Sequence, residues 1–97
     1  MAEGNVVRCT VIFRGRVQGV GFRFTATDVA KSFSVTGYVM NLRDGTVRME
    51  AEGSREDVTR MIRRVLEAMR GQVADHSEEW GTATGEFPEF GVRYEGR

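Results

Sequence analysis

One cysteine, one proline, one histidine and one tryptophan in 97 residues are scarcities that each remove a class of protein. Cys9 alone cannot form an internal disulfide, so the fold must rest on a packed core, and its place in an apolar alternation makes it a small buried hydrophobe. That usage fits a reducing compartment. His76 has no second histidine or cysteine near it in sequence, so it reads as a surface strand residue and no metal site or Cys/His pair is expected. A single proline with 40% apolar residues in periodic segments excludes disorder. No stretch approaches the ~20 apolar residues of a membrane span, and Met1 to Asn5 lacks the basic, then apolar pattern of a leader, so a cytoplasmic protein away from membranes is expected. Net charge is missing too. Fourteen basic and fourteen acidic side chains cancel, which removes the global footprint of a nucleic-acid binder.

What is present is organised as one domain over residues 1–97, a length that buries roughly two thirds of its unfolded surface. Val7, Cys9, Val11 and Phe13 alternate with polar or flanking residues as a strand. Phe22, Ala26, Val29, Ala30 and Phe33 then fall at helical spacing. Val35 to Leu42 returns to strand composition, Arg43-Asp44-Gly45 supplies a turn, and Val47, Met49 and Ala51 alternate with Arg48, Glu50 and Glu52, which makes a hairpin. Ser54 caps a second helix with Asp57 in its first turn, and Val58, Met61, Ile62, Val65, Leu66 and Met69 form its apolar stripe. Arg70 and Gly71 suit its C-terminal end. Val73 to Thr82 reads as a polar strand with Trp80 as packing, 81–89 as a loop, and Phe90, Val92 and Tyr94 as a terminal strand. The order β-α-β-β-α-β with a last short strand gives an α+β, ferredoxin-like split βαβ sandwich: an antiparallel sheet with two helices on one face. Many unrelated activities share that fold, so the fold alone does not specify a function.

The candidate site is the run Gly15-Arg16-Val17-Gln18-Gly19-Val20-Gly21-Phe22-Arg23, which joins the first strand to the first helix. A loop entering a helix N-terminus presents unpaired N–H groups, and glycines let them converge without side chains in the way. Arg23 in the first helical turn opposes the macrodipole unless an anion sits where dipole and guanidinium both point. Residues 1–23 carry Arg8, Arg14, Arg16 and Arg23 against Glu3, whereas Asp75, Glu78, Glu79, Glu86, Glu89 and Glu95 crowd the C-terminal quarter, so the positive end is expected to steer small anions to the loop. Arg16 adds charge to the cradle or stays solvated, and Gln18 either braces the loop or touches substrate.

A second pattern, Gly37-Tyr38-Val39-Met40-Asn41 followed by Gly45-Thr46-Val47 and Gly53, joins the first. Together they resemble the two signatures of the acylphosphatase family, met in the first run at Gly15, Val17, Gln18, Gly19, Val20, Phe22 and Arg23. Phe87, Phe90, Val92, Arg93 and Tyr94 also resemble the family's C-terminal strand, while the polar His76-Ser77-Glu78-Glu79 and Gln72, where a proline is common, depart from it. The resemblance implies hydrolysis of the carboxyl-phosphate bond of small acyl phosphates; the chemistry requires no metal or cofactor, and nothing in the sequence demands more than a monomer. It implies Arg23 and Asn41 as catalytic residues, with Arg16, Val17, Gln18, Gly19 and Val20 around the substrate, and inorganic phosphate as product and inhibitor.

The residue types suit that chemistry. A carboxylate leaving group has a conjugate acid of pKa about 4, so its departure needs no general acid. Phosphoryl transfer rests on positioning and charge stabilisation, which a guanidinium and fixed amides supply. An asparagine carbonyl holds a water but is too weak a base to deprotonate it. The RNA-recognition fold shares this topology, but its aromatic platform belongs on the third strand, where this chain has Arg48, Met49 and Glu50. A module that binds acyl phosphate without turning it over is the other alternative.

Overall fold

Residues 6–96 are described by the computed structural model, so Met1 to Asn5, with Glu3 and the leader expectation, and Arg97 lie outside the described residues. The elements are β1 (Val6–Gly15), α1 (Phe22–Ala30), β2 (Val35–Asn41), β3 (Val47–Ser54), α2 (Arg55–Ala68), β4 (Val73–Thr82) and β5 (Phe90–Tyr94). Period-2 patterning places Cys9, Val11 and Phe13 of β1, Val39 of β2, and Val47, Met49 and Ala51 of β3 on one face, where they pack against Phe22, Ala26 and Val29 of α1 and Val58, Met61, Ile62 and Val65 of α2. Each fully buried Val, Ile, Phe or Met among them contributes about 1.5–3 kcal/mol relative to exposure. Burial also pushes the Cys9 thiol up to about 12, which keeps it an inert hydrophobe. The Ser54 hydroxyl accepts from the Asp57 N–H at 3.1 Å, as the capping pattern predicts. Met69 caps the other end of α2, Arg70 falls just past the last turn, and Gly71 (φ +95°) ends the segment.

The sheet order is β4-β1-β3-β2-β5. Its first four strands pair antiparallel, the ferredoxin-like arrangement, whereas β5 joins β2 in parallel, so the expected antiparallel sheet is in fact mixed. The parallel addition follows from the long return of residues 83–89 across the open face of the sheet. Polar β4 runs the full Val73–Thr82 despite its meagre apolar content, because it pairs along the whole of β1 as an edge strand, where charged side chains are at home. His76 there meets Glu78 at 2.9 Å and lies against Phe13.

Antiparallel pairing of β1 with both β4 and β3 also revises the charge reading. Arg14 reaches Asp75 at 2.9 Å, and Arg8 lies among Glu50, Glu52 and Glu86 at 3.5–3.9 Å. Two of the four N-terminal arginines are therefore engaged on the sheet rather than at the loop. The open face buries Glu50 and Glu52 to 5% and 4% exposure. Alternation alone marks these positions as solvent-facing, but the 83–89 return covers Glu52, and Arg8 and Arg48 flank Glu50. Both Glu52 oxygens accept hydrogen bonds, from the N–H groups of Thr84 and Gly85 and from the Thr84 hydroxyl.

Candidate active site

The Gly-rich run becomes the corner between β1 and α1. Gly19 and Gly21 have φ of +77° and +81°, in the left-handed region, with open space where a Cβ would be. Their backbone conformation, not crowding, asks for glycine. Gly21 occupies the N-cap, and the first helical hydrogen bond runs from the Thr25 N–H to its carbonyl at 3.0 Å. The amides of Phe22, Arg23 and Phe24 therefore precede the ladder, and no acidic residue occupies this first turn. Among the described residues, no hydrogen-bond acceptor is paired with the loop N–H groups after Arg16. The Arg16 N–H itself donates to the Gln72 carbonyl at 2.8 Å, which extends the β1–β4 ladder past its bulge.

Asn41 ends β2 opposite Val47, which places it on the helix-covered face at the end where α1 begins. Arg23 of α1 and Asn41 of β2 both line one cavity of about 380 Å³, together with Val17, Gly19 and Gly21 of the loop. Tyr94 of β5 pairs in register with Asn41 and closes the far wall, its ring centroid 5.4 Å from the Arg23 guanidinium carbon. Sequence patterning alone does not mark Tyr94 as part of this site. Its only signal is the terminal alternation, and the parallel register decides where that alternation lands.

The remaining expected residues have other places. Arg16 is exposed and does not line the cavity. Val20 turns its side chain towards the core. The Gln18 amide nitrogen donates to the carbonyls of Leu42 at 2.7 Å and Thr46 at 2.9 Å, the pair that closes the β2–β3 hairpin. Gln18 thus ties the loop to the strand end that carries Asn41, as the bracing alternative expects. Neither Arg16 nor Arg23 makes an ion pair among the described residues, so the local charge is available to an anion.

The acylphosphatase family profile matches residues 9–92. This chain belongs to the acylphosphatase family. An acylphosphatase of Anaeromyxobacter sp. (strain Fw109-5) is 41% identical over 97% of this chain and 100% of its own length. One of Salinibacter ruber is 39% identical over 96% and 99%. The crystal structure of acylphosphatase from Bacillus subtilis superposes with a TM-score of 0.84 at 29% identity, covering 91% of this chain and 99% of that one. Membership makes this protein an enzyme that hydrolyses acyl phosphates, and the acylphosphatase fold is the ferredoxin-like sandwich described above.

Proposed function

We propose that Arg23 and the loop amides grip the phosphoryl group while Asn41 orients the attacking water, with no metal ion taking part. The observation that carries this reading is the meeting of Arg23, Asn41 and the glycines of the loop around one cavity, although they come from separate elements. The guanidinium and the helix N-terminus both favour the phosphoryl oxygens, where charge concentrates as the bond to the acyl oxygen lengthens. Water attacks phosphorus, the phosphorus–oxygen bond to the acyl group breaks, and the electron pair leaves on the carboxylate. The proton of the water passes late to a phosphoryl oxygen, since the Asn41 carboxamide positions but does not deprotonate.

The reading extends to a single domain over residues 1–97 acting as a cytoplasmic monomer on small acyl phosphates, apart from nucleic acid and membranes. Zero net charge and a lone buried cysteine support it.

Phosphate release from benzoyl phosphate, measured with a chelator present, tests the chemistry. Wild-type turnover should persist. Arg23→Ala should raise KM and lower kcat, whereas Asn41→Ala should lower kcat chiefly, each by about 10²-fold or more in kcat/KM. Inorganic phosphate should compete with substrate. Full turnover by Asn41→Ala would remove the water-positioning role, and loss of activity in chelator would bring a metal back.

A further inference from the structure

Four large apolar side chains are exposed among the described residues: Val6 at 52%, Phe24 at 76%, Val92 at 39% and Tyr94 at 65%. Scattered singly, such residues need no explanation. Three of these four, however, border the same cavity as Arg23 and Asn41, and only Val6 lies elsewhere, at the start of β1. They converge from two elements. Phe24 stands in the first turn of α1, while the parallel register of β5 sets Val92 beside Val39 and Tyr94 beside Asn41 on the helix-covered face.

Phosphoryl binding as proposed above engages the guanidinium, the carboxamide and backbone amides, and leaves this apolar rim without a task. The substrate has a second end that the rim suits. We propose that Phe24, Val92 and Tyr94 form the acyl subsite, and that it favours acyl phosphates bearing an aromatic or similarly large apolar group over a small one such as acetyl. The inference rests on the phosphoryl reading, because the acyl group is placed by whatever holds its phosphate. A cavity of about 380 Å³ is within the size range of small-molecule sites, and offset or edge-on packing against Phe24 and Tyr94 is what an aromatic acyl group would find there. On the other side of Tyr94 a second hollow is lined by Leu42 together with Arg23, Asn41, Arg43 and Glu95, so it sets charged side chains where the first cavity has Phe24 and Val92. Phe24 is the cleaner probe of the two aromatics, since Tyr94 also lies against Arg23.

The decisive measurement is kcat/KM for benzoyl and acetyl phosphate in wild type, Phe24→Ala, Phe24→Leu and Val6→Ala. Comparing the benzoyl-to-acetyl ratio across variants cancels the difference in leaving-group reactivity. The ratio should fall by about fivefold in Phe24→Ala, recover in part in Phe24→Leu, and stay at the wild-type value in Val6→Ala. Calorimetric titration with benzylphosphonate and methylphosphonate reads the same preference without turnover, and the benzyl advantage should shrink in Phe24→Ala. A ratio and a relative affinity untouched by Phe24→Ala would overturn the acyl subsite while leaving the phosphoryl site in place. A benzyl advantage that depends on Phe24, in a protein that hydrolyses neither acyl phosphate, would sustain the subsite and remove the hydrolytic reading. Absence of both turnover and binding would overturn the two together.

Discussion

Gly37 sits in the middle of β2 with φ +143°, and a Cβ built on it would run into the Glu50 carbonyl group of β3. The obstacle is backbone, which cannot move aside without opening the hairpin that carries Asn41. Gly37→Ala should therefore destabilise by about 2–4 kcal/mol, from strain together with a displaced strand, and lower the denaturation midpoint accordingly. Gly19→Ala meets no atom within 4 Å, so its cost comes from the positive φ alone and should be smaller, measured by the same denaturation. At this scale the family pattern marks both glycines as needed, yet one serves a close approach and the other a turn. Spacing in sequence does not separate those causes. Gln18 makes the same point: its two donors reach carbonyls of the hairpin 24 and 28 residues away, beyond what local pattern can register.

Among the elements, the hidden feature is the strap of residues 83–89. Burial of Glu52 would by itself raise its carboxyl pKa, but the Thr84 and Gly85 N–H groups, the Thr84 hydroxyl and Arg8 outweigh that and hold it below the ordinary glutamate value of 4.5. A depressed folded pKa means that the carboxylate stabilises the fold above that ordinary value, and that the contribution fades as pH falls through the lower folded value. Glu52→Ala should cost about 2 kcal/mol or more at neutral pH, since it leaves several donors without their acceptor. The gap between wild type and variant should close as chemical denaturation is repeated below pH 4.5. A gap that persists in acid would mean that packing, not charge, supplies the difference. Alternation in β3 announces a polar face here, and it is one. What alternation omits is the loop that folds over it and turns solvated carboxylates into buried anchors.

For the molecule as a whole, the site lies where α1, β2 and β5 meet at one end of the sheet, so ligand binding and folding are linked. Inorganic phosphate at a hundredfold its Kd should stabilise the native state by about 2.7 kcal/mol and raise Tm by roughly 13 °C, as read by a thermal melt with and without phosphate. Arg23→Ala should lose most of that shift, whereas a shift retained in full would place the anion elsewhere on the molecule. The sequence by itself determined the elements and their order, the capped second helix, the glycine corner before Arg23 and a hairpin with Asn41 near its end, because these follow from local dihedral preference and from periodicities of two and 3.6 residues. Only the tertiary structure decided that β5 adds in parallel and brings Val92 and Tyr94 beside Asn41, that Arg8 and Arg14 pair across the sheet, and that Glu52 holds a loop. Each of those outcomes depends on contacts between residues far apart along the chain. Such contacts are set by how strands register and which face a return loop covers, and no local pattern in the sequence encodes either one.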